Sequence, residues 1–452
     1  MRDVATGAWW SATTAPRGAP GEAAHAVFSD SKAEFHKTVG ALKSRVDVIV
    51  AGSVDAEGRR LTLANAGDAE RFVEITSYAE PVLSTRAADA AHPAFSKMFV
   101  ETRVDGDGTI RAVRNKRRHD EPDMRVAHVV AGAPGAAPDA GAETDRRRFV
   151  GRGRTLATAA AFDPGATLSG TDGFTLDPVL ALRRTVRVPP GKETSVVFWT
   201  IAAPGAAELD AAIEQCRHPE SFEREAMHAW TRSQVQLRYI GTSPLEASVF
   251  QRLAAHLVAP GGALGSRREG VRAGPQSLLW STGISGDFPL FVLRIDAEAD
   301  MAIVRKALRA QEYIRARGLL ADLVIVNERD ASYAQELQNG IDALCENARL
   351  RGVAGGPREH IFALRRELLP PEVYECLIAT ARIVLHARNG KFSTQLDRAE
   401  RGAGRTVDGA AGTRPEEAAV PARRDERATL APDARCWVTK ASKARRRESP
   451  AT

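Results

Sequence analysis

The chain has 452 residues, 43% of them hydrophobic, and no apolar run approaches the length of a membrane span, so two or three globular domains are expected and no transmembrane helix. The N-terminus, "MRDVATGAWWSATTAP", lacks the basic-then-apolar order of a signal peptide. A formal charge of +6 invites a nucleic-acid groove, but residues 401–452 hold 12 Lys/Arg against 7 Asp/Glu and so carry +5 of it, which places the excess in the tail and argues against nucleic acid as a partner.

From 26 to 201 the pattern is strands and turns. "RVDVIV" (45–50), "RLTLANAG" (60–67) and "RFVEITSYAE" (71–80) alternate apolar and polar residues, the period of a half-buried strand. "KMFVETRV" (97–104), "TIRAVRN" (109–115) and "RVAHVV" (125–130) continue it, and "TVRVPPGKETSVVFWTIA" (185–202) reads as a hairpin around a Pro-Pro-Gly-Lys turn. About ten closely spaced strands with almost no helical period predict an antiparallel β-sandwich over 1–205.

Near 207 the period changes to that of a helix, and 206–260 is expected to be a helical linker. In "SPLEASVFQRLAAHLV" (243–258), Ser243 stands at the N-cap, Pro244 at the first helical position and Glu246 at the capping-box position. Leu245, Val249, Leu253 and Leu257 are the expected buried stripe. A Gly-rich basic loop, "APGGALGSRREGVRAGPQ" (259–276), follows. Three strand–helix pairs then succeed one another: "FPLFVLRI" (288–295) with 299–318, "LLADLVIVNE" (319–328) with 332–350, and "HIFALRRE" (360–367) with 370–387. Such alternation predicts βαβ crossovers and a small parallel-sheet α/β domain over 261–398. Residues 399–452, rich in Ala, Arg, Pro and Gly without a period, read as a disordered tail. The four cysteines lie far apart, without zinc or disulfide spacing, and the ten histidines are scattered and read as structural. No cofactor motif occurs in the sequence and no cofactor is expected.

Several phrases, in order, resemble the cyclic β-1,2-glucan synthases in the region related to glycoside hydrolase family 94, the cellobiose phosphorylase group. They are "RDVATGAWWSAT" (2–13), "EITSYAEPVL" (74–83), "DAAHPAFSKMFVET" (89–102) and "DRRRFVGRGRTLA" (145–157). "LSGTDGFTLDPVLALR" (168–183), "LWSTGISGDFPLFVLRI" (279–295) and "GLLADLVIVNERDASY" (318–333) follow. The resemblance runs from residue 2 to about 397. It implies a galactose-mutarotase-like supersandwich, the first of two tandem sandwich modules, without the membrane-embedded glucosyltransferase part and the helical catalytic barrel of the far longer family proteins. The expected role is a carbohydrate-binding or positioning module, non-catalytic alone. The expected partners are β-1,2-glucan or related glucooligosaccharides, with phosphate as a second ligand, and the remaining parts of a synthase. A cytoplasmic location, at the inner membrane through those parts, goes with it. The same comparison makes the chain look like a fragment or split gene product. An upstream strand is then expected to be missing, with 26–35 and 45–52 as the exposed sheet edge.

Five positions and three tryptophans are candidates for chemistry. Asp287, in "WSTGISGD", occupies a place comparable to the general acid of the family's barrel, and inverting phosphorolysis needs such an acid. Equally, Gly-Asp is ordinary turn chemistry ahead of a strand. The alternative function is therefore a glycoside phosphorylase or transferase with Asp287 as acid, and a third reading is a scaffold without ligand. Arg152 and Arg154, in "VGRGRT", offer planar donor forks for phosphate or sugar hydroxyls, or are charges on an exposed turn. Asn327 and Glu328 end the second predicted parallel strand, where ligands of open α/β sheets sit, or cap the next helix. Trp9, Trp10 and Trp280 could stack on sugar rings, or pack in a core.

Overall fold

The computed structural model describes residues 1–408 apart from 20, 117, 118, 120, 122, 132–140, 260–263, 265–273, 331–334 and 351–359, and side chains as far as 401. The Gly-rich loop over 259–276, for the most part, and the tail beyond 408 lie outside the described residues. The chain divides into two compact units, Met1–Gln234 and a second beginning at Val235.

The first unit is an antiparallel sandwich. One sheet has nine strands, in the spatial order Gly173–Phe174, Val100–Val104, Ile110–Arg114, Arg125–Ala131, Glu193–Ala203, Ala56–Asn65, Leu42–Val50, Ala33–Val39 and Ala23–Phe28. The other has four, in the order Arg2–Asp3, Arg71–Ala79, Pro178–Val188 and Gly141–Asp145. Alternation sorts the side chains as predicted. Val196 and Phe198 enter the cluster that also holds Leu61, Leu63, Val73, Ile75, Leu180 and Leu182. Their neighbours Val197, Trp199 and Ile201 join a second cluster with Leu209, Ile213 and Cys216 of helix Ala206–Arg217. The long hairpin strand is therefore apolar on both faces, because the helix covers the face that would otherwise meet water. Trp199 pairs with Gly58 across the ladder. A Cβ there would come within 2.7 Å of the indole, so only glycine leaves room for the ring.

One expectation about this unit changes. Residues 45–52 are not a sheet edge, because Leu42–Val50 pairs on both sides, with Ala33–Val39 and Ala56–Asn65. The strand Ala23–Phe28 does lie at the end of the nine-stranded sheet, with all six residues exposed.

The second unit is α/β. Its four strands are parallel, in the order Ile361–Arg365, Asp322–Asn327, Leu290–Ile295 and Ile383–His386. The fourth was expected to be the end of a helix over 370–387. That helix stops at Thr380, and "RIVLH" (382–386) contributes Ile383 and Leu385, both buried, to the centre of the unit. A short apolar run has no period that separates strand from helix, and β-branched content decides it only weakly. Helix Pro244–Val258 has the expected cap: Ser243 Oγ accepts from Glu246 N–H at 3.2 Å, and Glu246 reaches back to Ser243 N–H. Its buried face differs from the expected stripe, being Ala247, Phe250, Leu253 and Leu257, while Leu245 is exposed. Helix Phe392–Asp408 runs past 399, into the stretch read as tail, and anchors itself through Phe392 and Leu396, both fully buried.

Candidate functional site at the carboxyl edge of the parallel sheet

The strand order of the second unit, taken in chain sequence, is third, second, first, fourth. The chain fills one side of its first strand and then crosses to the other. The reversal lies between Leu290–Ile295 and Ile383–His386, and in open α/β sheets the crevice outside the carboxyl ends at such a switch point is where ligands bind.

Polar side chains converge there. Glu328 follows the second strand, and its backbone N–H is tied to Ile295 O at 2.7 Å. Arg294 Nε donates to Glu328 Oε1 at 2.7 Å, and Tyr374 Oη donates to the same oxygen at 2.5 Å. Arg366 lies over the Tyr374 ring, 4.1 Å from its centroid. Glu328 Oε2 faces His386 Nε2 at 3.3 Å. Asp296, just past the first strand, stands 3.9 Å from the same nitrogen and receives Arg388 Nη1 at 3.3 Å.

The charge states follow from these surroundings. Burial pushes the Glu328 carboxyl up, but hydrogen bonds from Arg294 and Tyr374 outweigh it and hold the group below the usual carboxylate range. Burial, with the bond to Glu328, pushes the Tyr374 phenol up to about 12. His386 is held below the ordinary imidazole value, first by burial and then by the charges of Arg294 and Arg388, so the ring is neutral at pH 7. Its Nδ1 accepts Arg388 N–H at 3.3 Å, which assigns the ring proton to Nε2. That Nε2–H is buried and makes no hydrogen bond among the described residues. Glu328 Oε2, at 3.3 Å, is out of line for a bond, and Asp296 Oδ2, at 3.9 Å, is too far for one.

The predicted residues fall in four places. Glu328 belongs to this cluster. Asn327, beside it, turns away: it is buried, donates to Gln338 Oε1 at 3.1 Å and accepts Arg329 N–H at 3.0 Å. Arg154 pairs with Asp163 at 2.7 Å on an exposed turn, and Arg152 is exposed on the same turn. Trp280 is exposed, with its Nε1 donating to Ser285 O at 3.3 Å. Asp287 is exposed at a bend, where its backbone N–H donates to Ser285 Oγ at 3.2 Å. Trp10 is buried in the sandwich core, and Trp9 stacks on Phe162 with centroids 4.2 Å apart. The sequence reading missed Arg294, Asp296, Tyr374 and His386. A charged Arg294 near the end of an otherwise apolar strand was the available signal.

Two cavities accompany these residues. One beside Asn327, Gln338 and Arg365 has about 30 Å³, room for a water or two. A shallow cleft in the sandwich unit, lined by Glu143, Arg148, Phe149, Leu168 and Ser169, has about 390 Å³, within the range of small-ligand pockets. Its buried Glu143 is already occupied, accepting from Thr144, Asp145 and Ser169. No group of side chains placed to hold a metal ion occurs among the described residues.

Residues 1–219 match the family model of the glycosyl hydrolase 94 supersandwich domain. The match spans nearly all of the sandwich unit. Over 402 residues the chain is 58% identical to the cyclic beta-(1,2)-glucan synthase NdvB of Rhizobium meliloti (strain 1021), a match covering 88% of this chain and 14% of that protein. The similarity therefore includes the α/β unit as well as the sandwich, and the chain spans about a seventh of the relative's length. Among solved structures, a bacterial glucoamylase complexed with acarbose is similar over 53% of this chain and 32% of its own, at 9% identity and a TM-score of 0.32. A kojibiose phosphorylase from the human microbiome is similar over 46% and 23%, at 6% identity and 0.28. Likeness at that level carries no argument about this chain.

Proposed function

We propose that the chain is a carbohydrate-facing module of a cyclic β-1,2-glucan synthase, one that holds or sizes the glucan and is not catalytic by itself. The observation that carries this is the 58% identity to the synthase over 88% of the chain. Identity at that level extends over surface as well as core, so it speaks for a shared task and not only a shared fold. The ligand is then β-1,2-glucan, with phosphate as a second candidate, and the partner is the rest of the synthase. Among the described residues no helix is long and apolar enough to cross a membrane, and a place at the cytoplasmic side of the inner membrane would come through that partner. Arg152, Arg154, Trp280 and Glu328 are the proposed sugar-facing positions, of which Trp280 offers an exposed indole face and Glu328 a carboxylate in a crevice, while Asn327 supports Glu328 from behind through its bonds to Gln338 and Arg329.

Isothermal titration of the whole chain with linear and cyclic β-1,2-glucans tests this. Saturable heat is expected for at least one of them. A folded chain that gives none supports a scaffold without ligand and ends the proposal.

A further inference from the structure

The crevice between the carboxyl ends of Leu290–Ile295 and Ile383–His386 contains a donor and an acceptor side by side, each lacking a partner. Nε2–H of His386 is buried, with the residue 5% exposed, and makes no hydrogen bond. Oε2 of Glu328, 3.3 Å away, accepts none among the described residues, because Arg294 and Tyr374 both bond Oε1. A buried donor without a partner costs stability comparable to a lost hydrogen bond. The arrangement persists because Arg388 N–H fixes the ring through Nδ1 and Arg294 fixes the carboxylate.

The charges limit what can complete it. Arg294 and Arg388 balance Glu328 and Asp296, and His386 is neutral; the further cation, Arg366, lies over the Tyr374 ring and donates to Leu369 O, so beside the two free atoms there is no unbalanced charge to hold an ion. A phosphate would meet two carboxylates, and the turn after the first strand, "DAEAD" (296–300), is acidic and has no glycine to bring backbone N–H groups to an anion. A divalent cation would compete with guanidinium groups already bonded to both carboxylates. A hydroxyl suits both free atoms, since it can accept from Nε2–H and donate to a carboxylate oxygen.

We propose that this crevice is a binding site for the hydroxyls of a neutral sugar: one hydroxyl bridges His386 Nε2 and Glu328 Oε2, and its neighbour on the ring reaches Asp296. This rests on the carbohydrate reading above and names the place where it acts.

The test is titration of the full chain with a β-1,2-linked glucose pentasaccharide, comparing wild type with His386→Leu and Asp296→Asn. His386→Leu keeps the buried volume; Asp296 is partly exposed, so Asp296→Asn leaves folding undisturbed even if the first variant is unstable. Each variant should weaken binding about tenfold or more, with the melting temperature of Asp296→Asn unchanged. Arg187→Ala, at an exposed position of the sandwich strand Pro178–Val188, should bind as wild type does. The His386 ring resonances of the wild type should shift on saturation with the sugar. Equal affinity in all four proteins, with unshifted resonances, overturns the site and leaves the carbohydrate reading standing. A folded wild-type chain that binds no glucan overturns both.

Discussion

The two units each bury a histidine at the end of an elaborate polar arrangement, and they treat it in opposite ways. In the sandwich, His128 lies 2% exposed, with Nε2 2.9 Å from Ser77 Oγ of the four-stranded sheet and Nδ1 3.1 Å from Thr200 Oγ1 of the nine-stranded one. Both ring nitrogens are satisfied, and the ring ties one sheet to the other. In the α/β unit, His386 is equally buried, but only Nδ1 is bonded and Nε2 faces two carboxylates without a bond. A fully satisfied buried polar group specifies packing. The half-satisfied ring lies at the topological switch point and leaves Nε2–H for the sugar hydroxyl proposed above.

The comparison can be broken first at the cores that surround the two rings. Leu182→Ala in the sandwich and Phe291→Ala in the parallel sheet each empty a fully buried position and should cost about 3–5 kcal/mol in urea unfolding. A loss under about 1 kcal/mol at either position would mean that its core is not packed as described.

Acid should separate the histidines next. Burial, with the nearby Arg59 charge, lowers His128 from 6.5 to about 4. Its depressed folded value means that the neutral ring contributes stability in full above pH 6.5. That contribution is lost as pH falls from 6.5 toward 4, because the unfolded chain binds the proton first. The gap corresponds to about 3 kcal/mol, read by comparing urea midpoints at pH 7 and pH 4 in wild type and His128→Asn. An identical acid loss in the variant would show that His128 is not its source.

At pH 7 the two rings should differ on deletion. His128→Leu leaves Ser77 and Thr200 without their partner and should cost about 2 kcal/mol or more. His386→Leu removes a donor that bonds nothing and the single bond from Arg388 N–H to Nδ1, and should cost about 1 kcal/mol, less than His128→Leu. Thermal melts of the two variants check this, and equal costs would erase the distinction between the sites. An equally small effect is expected at a local cap. Ser243→Ala should cost about 1 kcal/mol, as the loss of one N-cap does, measured by the same melts.

What the sequence disclosed depends on how far each signal reaches. Ser243, Pro244 and Glu246 act within one turn, and their cap is formed as expected. Alternation revealed the sandwich strands, since each residue's face depends only on its parity. Ile383–His386 escaped because its apolar run follows a helix after two residues, and four residues carry no period. The candidate site was legible only at Glu328. Arg294 with Asp296, Tyr374 and His386 come from three separate segments, and only the crossover of the fourth strand to the far side of the first brings His386 to the others. Pairing order is a property of the whole sheet and leaves no local mark on "RIVLH".

The proposed module meets β-1,2-glucan without cleaving it. This is tested most directly by titrating the whole chain with the glucan in the presence of phosphate while following both heat and phosphate consumption. Saturable heat with constant phosphate is the predicted result. Phosphate uptake that disappears in Asp287→Asn would contradict it and make the chain an enzyme in its own right.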